Sequence, residues 1–144
     1  MASYTIRAVD GSDKETAKII IGLHGIVLPG ELKIDPAKGQ WWLAYRGEEP
    51  IAFAGVRCST HLRRPQFGYL ERAGVLPRHR GRGLHRRLIR VREAFARRAG
   101  WAGMVTDTAN NPDSANNFVR LGYSIFAPKN PWGLRSSIYW RKEF

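Results

Sequence analysis

The chain has 144 residues, enough for one hydrophobic core of useful size and too few for a second. Its 24 Lys+Arg against 12 Asp+Glu leave a net charge of +12, a field that attracts polyanions: a phosphorylated cofactor, nucleic acid or an acidic surface. The one cysteine, Cys58, excludes an internal disulfide and a thiolate zinc cluster, and no stretch has the length and apolarity of a membrane span. The opening Met1-Ala2-Ser3-Tyr4-Thr5-Ile6-Arg7 has no apolar signal core, so the expectation is a cytoplasmic, metal-free protein of one domain over residues 1–144.

Tyr4–Ala8 alternates as an edge strand would. Ser12 and Glu15 have the spacing of a capping box, opening a helix through Leu23 that fades near Gly25. Residues 25–39 form a long connection. Gln40–Arg46 and Pro50–Arg57 read as a hairpin, Ser59–Gln66 as a polar, basic turn, and Phe67–Val75 as the third strand of a meander. There follows a basic loop with two glycines, Arg80-Gly81-Arg82-Gly83. Behind it Leu84, Leu88, Val91, Phe95 and Ala99 recur at helical spacing, with Arg86, Arg87, Arg90, Arg97 and Arg98 between them. Gly103–Thr108 is a strand expected to run parallel to the one ending at Val75, because a helix connects them. Asn110–Ser114 opens a short helix over Ala115–Leu121. Tyr123–Phe126, a Pro/Gly/Trp loop over Ala127–Arg135 and a strand over Ser136–Lys142 complete the chain. The order β-α-ββ-β-α-β-α-ββ predicts a mixed α/β (α+β) fold around one mostly antiparallel sheet with helices on both faces.

The glycine loop is the chemically informative stretch. Glycines two apart let a backbone approach a ligand closely, and the helix behind them turns its free N–H groups and positive dipole end into the loop, where a phosphate would sit. Val75-Leu76-Pro77-Arg78-His79-Arg80-Gly81-Arg82-Gly83-Leu84-His85 resembles the V-x-P-x-x-R-G-x-G-[IL]-G pattern of the GCN5-related N-acetyltransferase (GNAT) superfamily, up to His85 where the family has Gly or Ala. Asn111 to Tyr123 resembles a second signature of that family, N-x-x-[AS]-x-x-x-Y-x-x-x-G-[FY], with Phe118 in place of the Tyr. The resemblance covers essentially the whole chain and implies acetyl transfer from acetyl-CoA to an amine by direct attack in a ternary complex, with no metal. It implies a diphosphate cradle over Gly81, Arg82, Gly83, Leu84, His85 and Arg86 with Arg80 beside it, a pantetheine arm along Ala73 and Val75, and Asn111, Ser114 and Phe118 flanking the thioester.

The resemblance leaves the acid and base open, because Phe118 stands at the usual Tyr position and Thr106 where relatives often carry a Glu. Glu71 is the candidate base, with a cross-strand ion pair to Arg57 or Arg72 as its structural alternative. Asp107 is the lesser candidate, with helix capping or an arginine partner as its alternative. His24 and His61 border loops, and Tyr69 and Tyr139 are possible proton donors. Trp132 can wall an acceptor site, whereas Trp41, Trp42 and Trp140 read as core. The acceptor itself is not legible. The missing Tyr and the +12 charge also suit a module that binds nucleic acid through the basic helix, or an acceptor carried on one. A homodimer is open.

Overall fold

The computed structural model describes residues 3–144; Met1 and Ala2, at the head of the segment read as lacking a signal core, lie outside the described residues. Its elements are β1 (Thr5–Val9), α1 (Lys14–Val27), β2 (Gln40–Arg46), β3 (Glu49–Arg63), β4 (Gln66–Val75), α2 (Leu84–Arg98), β5 (Gly103–Thr108), α3 (Pro112–Arg120), β6 (Ser124–Phe126) and β7 (Ile138–Glu143). This is the expected order. The strands form a seven-stranded sheet in the order β1-β2-β3-β4-β5-β7-β6. β4 and β5 pair in parallel at Gly68↔Met104 and Tyr69↔Val105, as the helical crossover requires, and β1–β2, β2–β3, β5–β7 and β6–β7 are antiparallel.

The chain packs as two compact units, one formed by the chain up to Arg57 with Glu71–Leu88, the other by Cys58–Leu70 with Ile89–Phe144. In the first unit, Trp41 and Leu43 of β2 and Phe53 of β3 share a face covered by Ile20 and Leu23 of α1. Burying such a side chain is worth about 1.5–3 kcal/mol, which is what holds α1 on the sheet. Asp13, not Ser12, caps α1: its carboxylate accepts from the Thr16 N–H at 3.0 Å, while Ser12 donates to Asp10. The helix also runs past Gly25 to Val27, because packing overrides the low propensity of isolated glycines.

In the second unit, successive residues of β7 point to opposite faces. Trp140 packs against Phe118 of α3 at 6.0 Å between ring centroids, and Tyr139 lies among Phe126 and Trp132 on the other side. Two expectations fail here. Ser59–Gln66 is not a turn: β3 continues to Arg63 and only Arg64-Pro65 turn, because the Ser59 hydroxyl accepts from the N–H groups of His61 and Leu62 and the Gln66 amide donates to the Ser59 carbonyl. The buried side of α2 is also rotated from the expected Leu84, Leu88, Val91, Phe95, Ala99 stripe. It is Leu84, Leu88, Ile89, Arg92, Glu93 and Ala96, and Ala99 is exposed. Buried Glu93 accepts from the Tyr123 hydroxyl at 2.7 Å and pairs with Lys142 at 3.2 Å, while Lys142 also donates to the Leu121 carbonyl. Burial, then the Glu93 charge and its hydrogen bond, push the Tyr123 pKa far above the ordinary value, so this tyrosine is a permanent donor. No described helix is long and apolar enough to cross a membrane.

Candidate functional site

β4 ends at Val75 and the chain makes a short 3-10 turn over Pro77–His79, anchored by buried His79, whose Nδ1 lies 2.8 Å from the Tyr4 hydroxyl. Beyond Arg80, Gly81 and Gly83 both adopt left-handed backbone, with φ of 75° and 76°, and α2 begins at Leu84. A Cβ on Gly81 would meet nothing within 4 Å, so it is the backbone conformation, not space, that calls for glycine there. The first intrahelical bond is Arg87 N–H to Gly83 carbonyl, which leaves the preceding amides of the first turn without an i−4 carbonyl. No acidic residue occupies that turn, so nothing on it offsets the positive end of the helix.

The loop cations are differently engaged. Arg80 folds back so that its Nε donates to the Val75 carbonyl at 3.0 Å, which occupies a β4 backbone group expected to face a ligand. Arg82 is exposed, Arg86 half-buried with its guanidinium 3.6 Å from the position of a Gly83 Cβ, and Arg87 donates to the Tyr4 carbonyl. His85 and Ala73 are half-buried, and Leu84 is buried.

On β4, Glu71 is ion-paired to Arg57 Nε, the structural alternative foreseen for it. The next residue, Arg72, approaches the Nε2 of buried His24 at 3.1 Å and pairs with Glu31 at 3.5 Å. Burial and, secondarily, the Arg72 charge hold the His24 pKa below its ordinary value, with Glu31 opposing, so His24 is an imidazole accepting from Arg72. In the second unit Asn111 is the N-cap of α3, its Oδ1 accepting from Ser114 N–H at 3.1 Å. Phe118, on the same helix, is buried against Tyr123 and Trp140.

The acetyltransferase (GNAT) family profile matches residues 18–123, most of the chain and both glycine-bearing segments. The chain belongs to this family. Its fold is similar to that of Arabidopsis thaliana NAA60 in complex with acetyl-CoA (TM-score 0.79, 14% identity, covering 99% of this chain and 100% of that one). It is also similar to Arabidopsis thaliana Naa50 in complex with the bisubstrate analogue CoA-Ac-MVNAL (TM-score 0.78, 17% identity, 99% of each chain). No curated protein matches the sequence.

The two positions that the sequence resemblance associates with an acid and a base, Phe118 and Thr106, are occupied by groups with other duties. Phe118 is core, and Thr106, also buried, donates its hydroxyl to the Leu70 carbonyl at 3.2 Å. Asp107, one residue on, faces the other way as strand alternation predicts, and its Oδ1 accepts from the Tyr69 hydroxyl at 2.9 Å and from Trp132 Nε1 at 3.0 Å. Among the described residues it neither caps a helix nor meets an arginine. The Tyr69 hydroxyl thus donates to Asp107, and the Tyr139 oxygen accepts the Gly133 N–H at 2.7 Å. His61 stacks on Trp132, with centroids 4.4 Å apart and planes at 10°. Sequence reasoning singled out these residues separately; the network joining them had no local signal. Among the described residues no group of three or more His, Cys, Asp or Glu is placed to hold a metal ion.

Proposed function

We propose that this GNAT protein is an acetyl-CoA-dependent N-acetyltransferase that moves the acetyl group to an amine by direct attack in a ternary complex. The observation that carries the reading is the loop from Gly81 to Arg86: two left-handed glycines followed by a helix start with no acid in its first turn. In this proposal the amides of residues 81–86 bind the diphosphate, with Arg80, Arg82 and Arg86 supplying charge, because backbone N–H groups at a helix start and guanidinium forks both suit phosphate oxygens. The backbone of Ala73 and Val75 accompanies the pantetheine arm. The acetyl-CoA and CoA-peptide complexes of NAA60 and Naa50 support this assignment of the donor.

Attack requires a neutral amine, a thioester carbonyl within reach, and a proton for the departing thiolate. Holding both reactants in one site supplies much of the rate. Glu71 is the base in this proposal, taking the ammonium proton directly or through water. Neither Phe118 nor Thr106 ionises, so water protonates the thiolate. Isothermal calorimetry with acetyl-CoA, followed by CoA release with spermidine, N-terminally free peptides and poly-L-lysine, tests the reading. Saturable binding and turnover of one of these amines are expected, and absence of acetyl-CoA binding refutes it.

One observation favours a second partner. Arg87, Arg90, Arg97 and Arg98 are all exposed at helical spacing on α2, a basic stripe suited to a phosphate backbone. An acceptor carried on nucleic acid or a nucleic-acid-binding protein fits it. RNA or DNA affinity that falls steeply with salt is the expected signature, and a flat salt response refutes it.

A further inference from the structure

We propose that Asp107 is a positioning residue, which through Trp132 fixes the segment Ala127–Ser137 in the conformation that receives the acceptor. The contact stands on geometry; its catalytic consequence rests on the acetyltransferase reading. In a chain of net charge +12, a half-buried carboxylate would be expected to attract a cation. Among the described residues no lysine or arginine pairs with Asp107. Its partners are two neutral donors, the Tyr69 hydroxyl and the Trp132 indole N–H, and both are directed at Oδ1. Neutral donors on a carboxylate make short, directional bonds that orient rings.

The segment is built to meet that carboxylate. Trp132 lies between the His61 ring, stacked on it at 4.4 Å, and the Tyr139 ring, standing edge-on at 4.7 Å. The next residue has no side chain, and a Cβ on Gly133 would come within 3.1 Å of Asp107 Oδ2 and 2.5 Å of Ser137 Oγ. Gly133 N–H donates to the Tyr139 hydroxyl, and Leu134 N–H to Ser137 Oγ at 2.8 Å. The segment between the short β6 and β7 is therefore fastened at its middle to the carboxyl end of β5, the parallel-paired strand. Loops beyond the carboxyl ends of parallel strands are where α/β sheets place ligands.

The test uses the full chain and the variants Asp107→Leu, Asp107→Asn and Trp132→Phe. The indole N–H resonance that disappears in Trp132→Phe identifies Trp132. In Asp107→Leu that N–H is expected to exchange with solvent about tenfold faster, and trypsin to cut sooner after Lys129 and Arg135. With the fastest amine of the panel above, KM for the amine rises about tenfold in Asp107→Leu and Trp132→Phe while KM for acetyl-CoA stays within about twofold, the pattern of lost positioning. Asp107→Asn retains an acceptor oxygen without the charge and restores all three readouts. The proposal is overturned if Asp107→Asn loses kcat as fully as Asp107→Leu at unchanged KM, since the charge would then serve the chemistry. Unchanged indole exchange in Asp107→Leu, or unchanged amine KM in Asp107→Leu and Trp132→Phe, overturns it too. If Asp107→Leu does not fold, Asp107→Asn and Trp132→Phe decide. A protein that binds acetyl-CoA and acetylates no amine refutes acceptor positioning, whereas loss of acetyl-CoA binding marks failure of the underlying activity.

Discussion

Gly81 offers the sharpest test of the loop. At φ 75° an L-residue puts its Cβ against the neighbouring carbonyl, which costs about 1–2 kcal/mol, and the surrounding space adds nothing because no atom beyond its chain neighbours lies within 4 Å of the added carbon. Gly81→Ala must meet that cost somewhere. If the free loop relaxes to negative φ, the cost appears when acetyl-CoA restores the cradle, and Kd rises about 5–30-fold. If the loop cannot relax, it appears as lost stability, about 3–5 °C in Tm per kcal/mol for a domain of this size. Calorimetry and thermal melting on the same preparation therefore give two figures whose sum is fixed by the backbone. Asn tolerates left-handed backbone and Val resists it, so Gly81→Asn should lose less than Gly81→Ala and Gly81→Val more. A sum below about 0.5 kcal/mol for Gly81→Ala, or the order Val better than Asn, refutes the argument that conformation selects this glycine.

The remaining predictions concern buried or paired charge. Lys142→Met strips the cation from buried Glu93 and should cost about 3–5 kcal/mol in denaturant unfolding, whereas Tyr123→Phe, which leaves that cation in place, should cost about 1.5–3; equal losses would show that Lys142 is not the partner that matters. His24 has a lowered pKa in the fold, so the unfolded chain binds its proton more readily; the stability it contributes is present above its ordinary value of 6.5 and is lost as pH falls through that value toward the folded pKa. The His24 ring resonance should titrate below 6.5, and the Tm of the wild type should fall relative to His24→Gln between pH 7.5 and about 5.5; a midpoint at or above 6.5 contradicts the geometry. Glu71→Gln should lower kcat by about 10²–10⁴ with little change in acetyl-CoA affinity, the usual effect of removing a general base; activity within tenfold of wild type would leave Glu71 as a partner of Arg57 and nothing more.

The glycine loop and its crossover were legible because local rules agree there. Two glycines at the end of an apolar strand, followed by an apolar 3–4 spacing, specify a tight turn into a helix whatever the rest of the chain does. The length of the hairpin is not legible because Ser59 and Gln66 look like turn residues by composition, and only the folded strand shows their side chains closing backbone groups. The buried face of α2 is not legible because periodicity counts every charge as solvent-facing. Arg92 and Glu93 point inward, and the reason for Glu93 lies far along the chain at Tyr123 and Lys142. Alternation along β5 did place Thr106 and Asp107 on opposite sides. That Asp107 would meet an indole from a proline-flanked loop depended on how that loop closes, which no spacing encodes.

The lengths of the strands have a consequence for how the molecule behaves among its own kind. The longest strands, β3 with 15 residues and β4 with 10, lie inside the sheet, while the two borders are β1 with 5 and β6 with 3. A border strand is a template on which a stranger's backbone can add itself, and the reach of that template grows with its length. Here the open ladder is confined to the two shortest strands available, and every molecule arriving at it carries the same surplus of positive charge. The arrangement resists runaway sheet extension at high concentration and low salt, and salt that screens the charge is the condition under which that resistance should weaken first.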